Sequence, residues 1–309
     1  MELPDRVTIV EVGPLDGLRH EAGTVPAAVR IGFIDRLSRT GLEVVEAASF
    51  DPAESAQGSV DAGEILTGLS RVPGVRYPVL VTDDTGLDRA VAAGAKEIAV
   101  SASASEPSSE RDLGCPIDDR LQRLRAVVRR ARREGCRVRG HVSMVAGCPY
   151  QGEVPPEDVV RVTTELFELG CDEVSLGDTI GVGTPLQIQD LIGRLSRTVL
   201  LDRLAVQLRD TYGQGLANTL AAFEAGVSTA DTSAGGLGGA PFPAGATGAA
   251  GVAGNLATED LLYALEGSGV VTGVDLEEVI GVTAWMAGQL SRPPLSRVAR
   301  AVLARGETR

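Results

Sequence analysis

Short runs of aliphatic and β-branched residues alternate along the chain with longer runs whose apolar positions recur every three or four residues. The short runs predict strands at Arg6–Gly13, Leu42–Phe50, Tyr77–Thr82, Glu97–Ser103, Arg137–Val145, Glu173–Thr179, Leu204–Thr211 and Thr229–Gly235. The longer runs predict helices at Pro26–Thr40, Asp118–Glu134, Pro156–Leu169, Pro185–Arg197 and Gln214–Ala225. The clearest is Asp118–Glu134, where Leu121, Leu124, Val127, Val128 and Ala131 share one face. Pro26, Pro156 and Pro185 fall at helix starts, where a missing N–H costs little. Strand–helix alternation implies parallel strands joined by right-handed crossovers, and eight repeats favour a closed α/β (β/α)8 TIM barrel over an open doubly wound sheet. Thr258–Gly267 reads as the last barrel helix and Asp275–Gly288 as part of a C-terminal helical extension. The expectation is one domain over residues 1–309, with the barrel at about 6–268 and the extension at about 269–309. The Gly- and Ala-rich stretch Gly235–Gly254 predicts a functional or mobile loop.

Composition narrows the function classes. A chain of 309 residues with 43% hydrophobic residues can bury one large core. Its net charge of -13 argues against nucleic acid and anionic membrane surfaces as partners, and no run approaches the length of a membrane span. The N-terminus, MELPDRVTIVEVG, is acidic and runs straight into a strand, so it does not read as a signal peptide. Cys115, Cys136, Cys148 and Cys171 lack CxxC spacing and read as small buried residues in a reducing compartment; the expected location is the cytoplasm.

In such a barrel the chemistry sits at the C-terminal ends of the strands. Polar residues gather there: Asp16, Arg19, His20 and Glu21 after the first strand, Glu46 and Ser49 on the second, His141 and Ser143 on the fifth, Asp178 and Thr179 on the sixth, Gln207, Arg209 and Asp210 on the seventh, and Asn255 after the eighth. Gln207 and Arg209 share a face because strand side chains alternate, and that face points into the barrel if Val206 and Leu208 pack outward. A buried arginine needs an anion: Asp16, Asp178 or a substrate carboxylate. Schiff-base chemistry is excluded, because the only lysine, Lys96, lies at the opposite end of the barrel. No GxSxG elbow, P-loop or GxGxxG motif is present.

The segments EVGPLDGLRHE, VVEAASF, RGHVSMVAGCPYQG, EVSLGDTIGVGTP, DTYGQGLANTL and GNLATEDLLYALEG, in order from about Arg6 to Gly267, resemble the 3-hydroxy-3-methylglutaryl-CoA (HMG-CoA) lyase family of the DRE-TIM metallolyase superfamily. The resemblance implies a dimeric, divalent-metal-dependent barrel that cleaves a 3-hydroxyacyl-CoA by a retro-aldol step. It places Asp16 and Asn255 at two metal-ligand positions of the family, but Gln207 and Arg209 stand where its two histidines belong. Leu15 stands at the family's catalytic arginine, His141 at a tyrosine, and Ala240 at the cysteine of the mobile loop; Glu46, Ser49, Asp178 and Thr179 match the pattern. An amide is a poor transition-metal ligand and a guanidinium cannot ligate at all. Mg²⁺ or Mn²⁺ is therefore expected only if Asp16, Asn255 and Gln207 rebuild a site.

The expected catalytic set is Asp16, Glu46, His141, Asp178, Gln207 and Arg209, with Arg19, Ser49, Thr179 and Asn255 binding substrate. The reading is a lyase-like enzyme with altered, metal-independent chemistry (aldol or retro-aldol, decarboxylation, dehydration or cyclisation). Its substrate is an acyl-CoA or a related oxo or hydroxy acid, and its setting a specialised biosynthesis. The alternatives are the conventional metal-dependent lyase and a non-catalytic ligand-binding barrel.

Overall fold

The computed structural model describes residues 2–19, 25–51, 62–238 and 254–306. Eight parallel strands form a closed barrel. They are β1 (Thr8–Glu11), β2 in two halves (Val44–Val45 and Ala48–Ser49), β3 (Val79–Leu80), β4 (Glu97–Ser103), β5 (Arg137–Ser143), β6 (Glu173–Asp178), β7 (Leu204–Leu208) and β8 (Thr229–Thr232). Closure runs through β2. Its first half pairs with β1 and its second half with β3, and between them Glu46 N donates to Glu11 O while Ala47 N donates to Pro78 O.

Helices cover the outside in strand order: α1 (Ala27–Leu37), α2 (Ala62–Gly68), α3 (Asp84–Ala92), α4 (Glu106–Asp112), α5 (Ile117–Arg133), α6 (Pro156–Leu169), α7 (Pro185–Leu195), α8 (Gly215–Glu224) and α9 (Thr258–Gly267). The extension adds α10 (Leu276–Gln289) and α11 (Arg297–Gly306). Starts are fixed locally. Asp83 caps α3 by accepting from Gly86 N at 2.7 Å, and Thr184 and Gln187 form a reciprocal capping box at α7. Arg36 of α1 stacks on Trp285 of α10 at 4.2 Å, tying the extension to the barrel.

The predicted stripe of α5 is buried, as are all four cysteines, which are unpaired. Strand faces toward the helices carry Val138, Val142, Val174, Leu176, Val206 and Leu208, all buried. The barrel interior is polar instead: Arg139, Glu173 and Asp231 are buried in it.

Several predicted bounds need correction. The first strand ends at Glu11, because Gly13–Gly17 winds into one π-helical turn. The second strand is interrupted at Glu46–Ala47, and α2, α3 and α4 lie where no helix is predicted. Their short, polar segments lack a long apolar period; only the caps Asp83 and Ser105 announce α3 and α4. Of the predicted loop, Gly235 and Gly236 belong to a short 3-10 turn, while residues 239–253, including Ala240, lie outside the described residues, as do His20 and Glu21.

Candidate active site

A cavity of about 180 Å³ opens at the C-terminal ends of the strands, lined among others by Asp16, Arg19, Glu46, His141, Gln207 and Arg209. Asp16 reaches it from the π turn, where Gly13–Pro14 breaks the strand. Gly13 is required there because a Cβ would lie 2.5 Å from Glu11 Oε1. Gln207 and Arg209 reach it from the inward face at the end of β7, as alternation predicts. Arg209 Nη2 donates to Asp16 Oδ2 at 2.9 Å, which settles the choice between Asp16 and Asp178 as its partner. The same Oδ2 accepts from Gln207 Nε2 at 3.2 Å and from Asn255 Nδ2 at 2.8 Å, and Gln207 Nε2 also donates to Asn255 Oδ1 at 2.9 Å. Four residues from three distant segments thus make one hydrogen-bonded knot around a single carboxylate oxygen.

This donor set does not fit the family's divalent metal. Turning both amides over would offer two carbonyl oxygens. The guanidinium would still sit on the one carboxylate that a cation needs, and it neither ligates nor deprotonates. Among the described residues, no group of three or more His, Cys, Asp or Glu side chains is placed to hold a metal ion.

Across the cavity, His141 Nε2 lies 3.4 Å from Glu46 Oε1. That is within ion-pair reach, yet the alignment misses a hydrogen bond, and Nε2 is buried without another partner. The contact is a close approach of an imidazole nitrogen and a carboxylate, not a hydrogen bond. Thr179 lines the cavity wall but is engaged locally, accepting from Met144 N at 3.0 Å. Asn255, expected to bind substrate, is buried and absent from the cavity wall; its side chain bonds Asp16 and the Leu237 carbonyl instead.

Two further expected site residues are placed elsewhere. Asp178 is fully buried and turned away from the cavity. Its carboxylate accepts from Gly181 N, Val182 N and Gly183 N at 3.0, 3.2 and 2.7 Å, so it organises the turn into α7. Burial raises its pKa above the usual range despite those donors. Ser49 is likewise absent from the cavity wall and accepts from Asp51 N at 3.1 Å.

Two groups escape strand-end reasoning because they lie behind the site. Glu11 accepts from Gly13 N, Ala234 N and Thr258 Oγ1, and Glu259 accepts from Gly235 N and Thr283 Oγ1. Together they tie the Asp16 turn to the segment after β8. Burial pushes Glu11 up to about 8 and Glu259 up to about 7, against those hydrogen bonds. Below the ordinary carboxyl value of 4.5, folded and unfolded chains both hold these protons. As pH rises from 4.5 to about 8 the unfolded chain gives up a proton that the folded chain keeps, so stability falls and then levels off. Thermal melts across that window are expected to show the fall, and Glu11→Gln is expected to remove most of it; an unchanged slope in the variant would contradict this assignment.

The HMGL-like family model matches residues 6–285. The chain is 48% identical to the mitochondrial hydroxymethylglutaryl-CoA lyase of Bos taurus, over 96% of this chain and 90% of that protein. It superposes on the hydroxymethylglutaryl-CoA lyase of Pseudomonas aeruginosa with a TM-score of 0.93 at 42% identity, covering 99% of this chain and all of that one. An HMG-CoA lyase from Acenitobacter baumannii, solved with coenzyme A and 3-methylmalate, matches with a TM-score of 0.89 at 30% identity over 96% of this chain and 95% of that one. With its barrel, its strand-end cavity and its near-full-length identity to these enzymes, the chain belongs to the HMG-CoA lyase family of carbon–carbon lyases in the DRE-TIM superfamily.

Proposed function

We propose that the chain breaks or forms the carbon–carbon bond next to the thioester of a short 3-hydroxyacyl-CoA, and that it does so without a resident divalent metal. The observation that carries this reading is the Arg209–Asp16 pair at 2.9 Å in the cavity wall. A guanidinium there can hold a substrate oxygen and stabilise the negative charge that develops on it. In the cleavage direction, the His141–Glu46 pair removes the proton of the 3-hydroxyl. The resulting alkoxide closes to a carbonyl at C3 as the C2–C3 bond breaks; the bond's electron pair passes into the thioester enolate, and C2 then takes back the proton held by the pair. The ligands named in the Acenitobacter baumannii structure, coenzyme A and a small hydroxy acid, support this substrate class.

A second reading has its own support. Identity of 48% to a named hydroxymethylglutaryl-CoA lyase favours the ordinary metal-dependent cleavage of HMG-CoA at least as strongly as the Arg209 geometry favours ours. One assay separates the two: acetoacetate release from HMG-CoA with added Mg²⁺ or Mn²⁺, and in parallel with EDTA. Turnover that survives EDTA and falls on the order of 10²–10³-fold in Arg209→Ala supports the metal-free reading. Turnover only with metal overturns it in favour of the conventional lyase. No turnover in either condition retires HMG-CoA as substrate and moves the search to other 3-hydroxyacyl thioesters.

A further inference from the structure

The floor of the cavity is unusual for a barrel, because the layer beneath it is charged. Arg139 on β5 is buried and donates through Nη1 and Nη2 to both carboxylate oxygens of Asp231 on β8, at 2.9 and 2.6 Å, and through Nε to Glu173 Oε1 at 2.6 Å. Asp231 accepts one more bond, from Ser175 Oγ at 2.8 Å. Ser175 is therefore where this buried charge network meets the cavity, which it helps to line.

The bonding fixes what Ser175 can offer. A carboxylate held by a two-pronged guanidinium contact is ionised and accepts only, so the single hydroxyl hydrogen of Ser175 is committed to Asp231. Toward the cavity Ser175 retains lone pairs and no proton. Ser175 is itself only 1% exposed; the next residue on the inward face of β6, Gly177, lines the same cavity and has no side chain to cover it further. Ser175 sits in register with His141 on the neighbouring strand, next to the proton-transfer pair. Two other wall hydroxyls, Ser143 and Thr179, turn their hydrogens to the main-chain carbonyls of Ala102 and Gly177.

We propose that Ser175 is a specificity-determining residue: fixed as a hydrogen-bond acceptor by Asp231 and Arg139, it selects acyl thioesters that present a hydroxyl at the cavity floor over their oxo and deoxy counterparts. Asp231 and Arg139 act through it as positioning residues. The inference rests on the acyl-CoA reading above and deepens it. On binding, the substrate hydroxyl donates to Ser175, and it turns to the neighbouring His141 for removal of its proton; an oxo group in the same place sets lone pairs against lone pairs, and a methylene leaves the acceptor unmet.

The test is calorimetric binding to the full chain, in EDTA, of both enantiomers of 3-hydroxybutyryl-CoA, of acetoacetyl-CoA and of butyryl-CoA. The wild type is expected to bind one hydroxy enantiomer about tenfold or more tighter than either other ester. Ser175→Ala is expected to bring hydroxy and deoxy esters within about threefold of each other while leaving butyryl-CoA affinity within about threefold of wild type, a pattern that general damage to the site would not produce. Ser175→Cys, which keeps a donor for Asp231 but is a weak acceptor, repeats the test if the alanine variant does not fold. Equal binding of hydroxy and deoxy esters by the wild type, or an undiminished preference in the variants, overturns the role of Ser175 and leaves the acyl-CoA reading standing. Failure of all the esters to bind overturns both.

Discussion

Replacing Gln207 and Arg209 together by histidine is expected to convert the Asp16 knot into a divalent-metal site. Both side chains reach Asp16 from the same face of β7, and Asn255 already stands beside them. The change removes a fixed positive charge and supplies two neutral imidazoles to a carboxylate and an amide oxygen, a donor set suited to Mn²⁺ or Zn²⁺. Calorimetric titration with Mn²⁺ is expected to show binding at least on the order of 100-fold tighter than in the wild type, given that a guanidinium cannot ligate. With Mn²⁺ at about 100 times its Kd, the variant gains about 2.7 kcal/mol of stability, visible as a metal-dependent rise in Tm. Equal, weak Mn²⁺ binding by variant and wild type would show that the knot is not shaped around a cation. Arg209→His alone should give an intermediate result, because Gln207 contributes at best one amide oxygen.

The second large effect lies deeper. Arg139→Met is expected to destabilise the barrel by about 3–5 kcal/mol, because it strands the buried Asp231 without its cation and leaves Glu173 with Arg137 alone, at 3.7 Å. Tm should drop on the order of 10 °C. Adding Glu173→Gln and Asp231→Asn should recover part of the loss, since uncharged amides tolerate burial better than orphaned carboxylates. A melt of Arg139→Met within about 2 °C of wild type would mean that water or relaxation compensates the charges, and that the network is not a rigid support for Ser175.

Hydrophobic patterning made the frame legible, and it did so unevenly. Parallel strands buried on their helix side read as continuous Val- and Leu-rich runs, so all eight were visible at about the right place. The inward orientation of Gln207 and Arg209 followed from alternation once Val206 and Leu208 pack outward, and of the three anions proposed for Arg209 the structure pairs it with Asp16. Period does not report which carboxylates a turn will consume. Asp178 ends its strand just as Asp16 follows its own, yet three consecutive backbone N–H groups claim it, and only the coordinates of that turn reveal this. Arg139, Glu173 and Asp231 carried a readable signal that strand-end reasoning passed over. Charged residues in mid-strand, in runs otherwise apolar, can be accommodated only if they face each other across the barrel. The break in the second strand had no signature, because Glu46 and Ala47 continue the extended chain without a turn residue.

Gly254 lies so close to Gly238 that a Cβ on it would fall 0.9 Å from the Gly238 carbonyl oxygen. Beside this contact, Asp210 N donates to Gly254 O at 2.8 Å and Arg209 bridges to Asn255. The chain therefore departs toward residue 239 and comes back from residue 253 through a single stapled gate. Whatever length of polypeptide hangs from such a gate, the barrel meets the same two glycines. Asn255 therefore keeps its place on Asp16 through contacts made by Gly238, Gly254 and Asp210, whatever the sequence between the two glycines.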